Sequence, residues 1–229
     1  MDAKGDAMKL KATLLMTEVV THDVKRFILT KPKGLGWIPG QGVLMAINTP
    51  ELKDEDHPFT PTSLPSDGVL EFTIKGYPRR HGLTEKLHNL RPGAELLITM
   101  VFGDIRYRGP GVFIGGGAGI TPFLGILRQL RKDGKLAGNS LIFSNKRWED
   151  IILERELREY LGDRCTFLLT REKRPGYESG KIDAAFLKRK IGNFKQRFYV
   201  CGPAKFIEGI NGALVKLRAR QPNIIFDEP

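Results

Sequence analysis

Cysteine is nearly absent from this chain of 229 residues, which carries only Cys165 and Cys201. Two thiols argue against a disulfide framework and are too few for a four-cysteine iron–sulfur cluster or zinc site, so no metal centre is expected. Any redox chemistry would need a borrowed cofactor. Long apolar runs are missing too: none approaches the ~20 residues that span a bilayer, which excludes membrane insertion by a helix. The first nine residues, Met1 to Lys9, lack the apolar centre of a secretion signal, so a cytoplasmic location is expected. Histidine is sparse, and His22, His81 and His88 are isolated in sequence, reading as surface or loop residues. There is no internal repeat, no low-complexity segment and no run of basic residues interleaved with aromatics, which disfavours nucleic-acid binding.

Positive charge is abundant, with 37 Lys and Arg against 26 Asp and Glu and a net charge of +11. Such a chain attracts acidic partners. Residues 9 to 108 read as short strands broken by turns: Lys9–Val20, Val24–Thr30, Val43–Ile47, Leu70–Lys75 and Glu95–Met100, with one short helix over Gly82–Leu90. That spacing predicts an antiparallel barrel or sandwich. From Gly111 the period changes. Strands at 112–115, 141–144, 166–170 and 197–201 alternate with helices at 121–132, 151–161, 183–191 and 204–220, and an edge strand is expected at 224–226. Alternation of this kind predicts a parallel sheet covered by helices, with the domains divided as 1–108 and 109–229.

The second half is organised around Val112-Phe-Ile-Gly-Gly-Gly-Ala-Gly-Ile-Thr-Pro-Phe123. Three apolar residues suit a strand buried on both faces, the glycines permit positive φ and close backbone approach, Thr121 can cap, and Pro122 suits a first helical turn. Unpaired amides at the helix start would attract a phosphate. The spacing departs from the strict GxGxxG fingerprint, so taken alone the loop reads equally well as a tight connection without a ligand.

The order and spacing of four stretches resemble the ferredoxin-NADP reductase superfamily over nearly the whole chain: His57-Pro-Phe-Thr-Pro-Thr-Ser63, Gly82-Leu-Thr84, Gly115–Pro122 and Tyr199-Val-Cys-Gly-Pro203. Within it the chain looks most like the small bacterial flavodoxin or ferredoxin reductases without a fused iron–sulfur domain. The resemblance implies an N-terminal antiparallel Greek-key β-barrel holding FAD, with FMN the lesser alternative, followed by an α/β domain for NADPH or NADH. On the flavin side it implies His57, Pro58, Phe59 and Thr60, with Phe59 on the isoalloxazine face and Thr60 near N5. The strand Thr73-Ile74-Lys75, the helix start Gly82-Leu83-Thr84, Thr121 and Phe226 complete that set. His57 and Phe59 stand where the family has arginine and tyrosine, and Lys75, Arg79 or Arg80 could replace the missing cation.

For the nicotinamide nucleotide the resemblance implies Gly116, Gly117, Gly119, Thr121 and Pro122 along the loop, and Thr170 with Arg171 at a 2′-phosphate. It also implies Cys201, Gly202 and Pro203 beside nicotinamide C4. Thr60, Cys201 and Phe226 are the implied catalytic residues. Cysteine is equally a common buried residue, and Phe226 reads either as a cover for the second flavin face or as an edge-strand anchor in the core. The implied activity is hydride transfer from NAD(P)H to flavin, then electron delivery to an acidic redox protein, flavodoxin or ferredoxin, by a monomer. Reduction of free flavin or a haem protein, and a non-catalytic flavin-binding subunit, are the alternatives.

Overall fold

The computed structural model describes residues 9–77 and 82–227, which fall into two compact units, one ending at Gly103 and the other beginning at Asp104. Arg79, Arg80 and His81 lie outside the described residues.

The N-terminal unit is a six-stranded antiparallel sheet: β1 (Leu10–Thr21), β2 (Val24–Thr30), β3 (Gly42–Ile47), β4 (His57–Phe59), β5 (Val69–Lys75) and β6 (Glu95–Phe102). Their order is β4-β3-β6-β1-β2-β5. The sheet closes on itself just beyond β4, where Pro61 bridges Phe72 of β5 and the Thr62 N–H donates to the Glu71 carbonyl at 2.8 Å. Closure needs bending, and the register of β1 against β2 is irregular between Leu14 and Met16 and again between Val19 and Thr21. Alternation then turns one side of each strand inward. Phe27 and Leu29 of β2, Val43 and Met45 of β3, and Leu70 and Phe72 of β5 share one core. The short helix α1 (Leu83–His88) adds Leu83 and Leu87, four residues apart and so on one face, to the same core. Each such leucine stabilises the fold by ~1.5–3 kcal/mol.

The C-terminal unit is a parallel sheet of β7 (Gly111–Gly116), β8 (Ser140–Asn145), β9 (Cys165–Leu169), β10 (Glu178–Ser179), β11 (Arg197–Cys201) and β12 (Ile224–Ile225), in the order β10-β9-β8-β7-β11-β12. The connecting helices are α2 (Thr121–Lys132), α3 (Glu154–Leu161), α4 (Ala184–Lys190) and α5 (Ala204–Lys216). Val112 and Ile114 of β7, Ile142 of β8, and Phe198 and Val200 of β11 face the apolar side of α4 and α5, while Phe113, Phe143 and Tyr199 alternate with them on the same three strands.

Several boundaries differ from expectation, each with a local cause. Helix α3 starts at Glu154 instead of 151 because Ile151 and Ile152 are buried and Leu153 adopts φ 52°. Helix α5 stops at Lys216, short of 220, because Arg218 takes φ 64° and the Ala219 N–H turns back to the Leu214 carbonyl. Asp183 is the N-cap of α4, its carboxylate accepting the Phe186 N–H at 2.8 Å. The units divide after 103, where the expectation placed the change after 108, because residues 104–109 are tied into the C-terminal unit. The Asp227 carboxylate accepts the N–H groups of Asp104 and Ile105. The Tyr199 hydroxyl accepts the Arg108 N–H at 2.9 Å and donates to the Gly109 carbonyl at 2.7 Å.

Candidate functional site

At the carboxyl end of β7 the chain makes a 3₁₀ turn, Gly117–Ile120, and runs straight into α2. Open α/β sheets bind ligands at this edge. Gly117 has φ 55° and nothing within 4 Å of the direction a side chain would take, so the turn presents bare backbone there. Gly119 is glycine for a different reason. A Cβ at that position would stand 2.4 Å from the Cys201 carbonyl oxygen and 2.5 Å from the Gly202 nitrogen. The loop after β7 therefore rests directly on the loop after β11, and two of the four stretches are brought together. Phe206, from the first turn of α5, lies against both: a Cβ on Gly202 or Gly116 would come within 2.7 or 3.2 Å of its ring.

Thr121 differs from its expected capping role. It is the first residue of α2, Ile120 occupies the N-cap, and the Thr121 hydroxyl donates backward to the Ala118 carbonyl at 3.1 Å. The intervening 3₁₀ turn, which already uses part of the backbone hydrogen-bonding capacity, places it inside the helix. Pro122 is buried in the first turn as expected.

Cys201 ends β11 and is partly buried, with Gly202 and exposed Pro203 following. Burial pushes its thiol up to about 12, helped by the negative charge of Asp227 and opposed by a backbone hydrogen bond at Gly202. It is a neutral thiol at physiological pH, able to pack and to donate weakly but not to act as a nucleophile. Phe226 packs half-buried against the apolar cluster of this unit, one position beyond β12.

Thr170 and Arg171 are exposed at the end of β9, and their N–H groups donate to the carbonyls of Asn145 and Lys146, each at 2.9 Å. Two strand ends are thereby joined in one short ladder. The Arg171 guanidinium has no hydrogen bond or ion pair among the described residues, whereas Arg174 lies 4.1 Å over the Trp148 ring. A residue absent from the sequence expectations ends β8, the strand between β7 and β9. Asn145 is 5% exposed, and among the described residues neither its amide nitrogen nor its amide oxygen has a partner. Its signal was legible: a strand otherwise apolar, Leu141-Ile-Phe, ends in Ser-Asn. The open turn at Gly117, the unpartnered Asn145 amide and the uncommitted Arg171 form a donor set that fits a dinucleotide.

In the N-terminal unit His57 and Pro58 are exposed, while Phe59 and Thr60 are half-buried at the end of β4, the Phe59 ring packing on the core. A half-covered aromatic plane beside a hydroxyl fits the ring system of a flavin. Other members of the expected set are committed elsewhere. Thr73 and Ile74 are buried, the Thr73 hydroxyl lying 3.3 Å from that of Thr62, so only their backbone remains to offer. The Lys75 ammonium pairs with Asp23 at 2.6 Å, so part of its charge is already met by a carboxylate. The side chain of Leu83 is in the core; Gly82, extended just before α1, and half-buried Thr84 remain at the helix start. His88 is likewise no surface residue. Its Nε2 lies 2.9 Å from the Ile74 carbonyl, and burial above all lowers its pKa.

Comparison with known proteins agrees with this division. Residues 8–95 match the FAD-binding domain family and residues 113–212 the oxidoreductase NAD-binding domain family. The chain is 29% identical over 219 residues to the ferredoxin–NAD(P)(+) reductase component of the naphthalene 1,2-dioxygenase/salicylate 5-hydroxylase systems of Ralstonia sp, covering 91% of this chain and 65% of that protein. It is 28% identical over 225 residues to NADH-cytochrome b5 reductase 2 of Mycosarcoma maydis, covering 87% and 63%. It thus spans just under two-thirds of the length of both. The fold is shared with the flavohem-like FAD/NAD-binding domain of nitric oxide dioxygenase from Vibrio cholerae O1 biovar El Tor, with a TM-score of 0.85 at 20% identity over 96% of this chain and 98% of that one. No helix among the described residues is long and apolar enough to cross a membrane. With a closed antiparallel barrel matching an FAD-binding domain and a parallel sheet matching an NAD-binding domain, the chain belongs to the ferredoxin-NADP reductase superfamily.

Proposed function

We propose that this protein is an FAD-dependent NAD(P)H oxidoreductase that delivers electrons to a redox-protein acceptor. The observation that carries the reading is the backbone contact between the Gly116–Gly119 turn and Cys201–Gly202, which builds one continuous ligand-facing surface from two separate strand ends. When bound, the flavin supplies what no side chain here can: acceptance of a hydride and release of single electrons. Everything else falls to the chain. The turn at Gly117 and the start of α2 seat the pyrophosphate, Asn145 hydrogen-bonds the dinucleotide, and Arg171 meets the adenosine end, where its planar fork suits a 2′-phosphate. Cys201, held neutral by burial, lies on the nicotinamide side with Gly202 and Pro203, while Phe59 and Thr60 serve the flavin side.

The acceptor is an acidic electron carrier of the ferredoxin or flavodoxin kind. Support comes from the Ralstonia relative's name, while the net charge of +11 attracts acidic proteins at range without marking where the carrier docks. A haem acceptor of the cytochrome b5 kind is the second reading, favoured by the Mycosarcoma maydis relative. Anaerobic mixing with NADPH should bleach the flavin absorbance; a protein that binds FAD and stays oxidised would be a non-catalytic subunit. Arg171→Ala should weaken NADPH far more than NADH, and equal losses for the two would remove the 2′-phosphate assignment. Turnover with ferredoxin, flavodoxin and cytochrome b5 compared at one salt concentration decides the acceptor.

A further inference from the structure

The positive charge of this protein is placed unevenly. Residues 104–229 hold 24 Lys and Arg against 14 Asp and Glu, whereas residues 1–103 hold 13 against 12, so ten of the eleven net charges belong to the C-terminal unit. Topology divides that unit's charge again. Because β7, β8, β9, β11 and β12 are all parallel, the segments leading into them share one edge of the sheet, opposite the edge that carries Gly117, Cys201 and Arg171. Those leading segments, 104–110, 131–139, 162–164, 188–197 and 216–223, contain 14 basic residues and 3 acidic ones; all 14 are exposed, and of them Arg131 pairs with Glu159 and Arg189 and Lys190 with Glu178, outside these segments. Each of the five strands is approached past at least one of them: Arg108, Lys135, Arg164, Lys195 and Lys216. At ~4.8 Å between strands the charged edge is about 20 Å wide.

Helix dipoles explain part of the pattern, since α2, α4 and α5 all end here and favour cations. They do not explain Arg106, Arg164, Lys195 or Arg197, which lie in connections or open a strand. Nor does the nucleotide use this edge. Hydride transfer needs the nicotinamide and flavin in contact, and the nucleotide residues are all at the other ends of strands five or six residues long.

We propose that this edge docks the protein on an anionic lipid surface, leaving the nucleotide end free. A stable protein interface would have an apolar or aromatic centre depleted in charge. The exposed large apolar side chains described for this unit are Trp148, at the opposite end, and Val215. Tight phosphate seats of the kind used on nucleic acid employ helix N–H ends and stacking aromatics, but this edge presents helix carbonyl ends and long cationic side chains. Such groups attract a charged headgroup layer at range, as polybasic segments do.

The test uses the full chain with its flavin and sedimentation with vesicles of phosphatidylcholine alone or with about one-third phosphatidylglycerol. Anionic vesicles should carry the protein down at about 0.05 M salt and at least ~10-fold less at about 0.5 M, and neutral vesicles should leave it in solution. The triple variant K135E/K195E/K216E should lose at least ~10-fold of that binding while keeping its melting temperature and its rate of NADPH oxidation with ferricyanide. Equal sedimentation of variant and wild type, equal binding to neutral vesicles, or salt-sensitive retention on duplex DNA with vesicles unbound would each overturn the proposal.

Discussion

Single side chains carry unusual responsibility in the C-terminal unit, and Tyr199 is the clearest. Its ring stacks on Phe113 with centroids 4.5 Å apart, and its hydroxyl is the hydrogen-bond partner of both Arg108 and Gly109. Tyr199→Phe keeps the stack and strands the Arg108 N–H, so it should cost ~1–2 kcal/mol and lower the melting temperature by several degrees in calorimetry. Asn145 should behave in the opposite sense. Replacing it with Leu removes two unsatisfied buried atoms, so the ligand-free protein should melt higher by a few degrees while NAD(P)H affinity falls. The thiols add a pH dependence. Burial raises Cys201 and Cys165 from about 9 to about 12. Between those values the unfolded chain has lost protons that the folded chain keeps, so folding stability should decline as pH rises above 9, and Cys165→Ala should flatten part of that decline in alkaline denaturation curves. Below pH 8 neither thiol should affect the curve.

Among the elements, the turn after β7 was readable as glycine-rich, but the separate reasons for its glycines were not. Gly117 is required by its dihedral and Gly119 by the neighbouring chain, a long-range fact that spacing within residues 115–122 cannot contain. The two should therefore respond differently. Gly117→Ala should cost ~1–2 kcal/mol through left-handed strain alone. Gly119→Ala must displace the Cys201–Gly202 backbone, so nucleotide affinity should fall at least ~10-fold together with stability. Titration with NADPH and thermal melts of both variants check this, and identical behaviour would mean that the inter-loop contact has no functional weight. Strands with clean alternation or unbroken apolar runs were legible: β2, β5, β7 and β11 lie where their patterns put them. The short β4 and β10, of three and two residues, carry no period long enough to read and exist because a neighbouring strand offers an edge. Helix ends were missed where a non-glycine residue, Leu153 or Arg218, takes a positive φ that composition does not announce.

At the scale of the whole molecule, the order of a β-rich half before an α/β half was evident because the hydrophobic period changes once, near Gly111. Site residues supplied by resemblance fared less evenly, since the motif names a position without saying whether its side chain is already spent. Lys75 is paired with Asp23 and Leu83 lies in the core, whereas the Arg171 guanidinium has no partner among the described residues. The charge division between the units implies that salt acts on the two halves unequally. NAD(P)H binding and any polyanion binding should weaken from about 0.05 to about 0.5 M salt, while flavin retention by the near-neutral N-terminal unit should change little in equilibrium dialysis.

The seam of the barrel lies within three residues of Phe59 and Thr60, because Pro61 and Thr62 are the residues that fasten onto β5. With the flavin placed at Phe59 and Thr60, as proposed, cofactor occupancy and barrel integrity would share one strip of backbone. Amide exchange at Thr62 should be slow with flavin bound and should accelerate first when it is removed, before the rest of the sheet opens. Proteolytic nicking of the flavin-free protein should begin in that strip, so the age of a preparation would show as a single clip after β4.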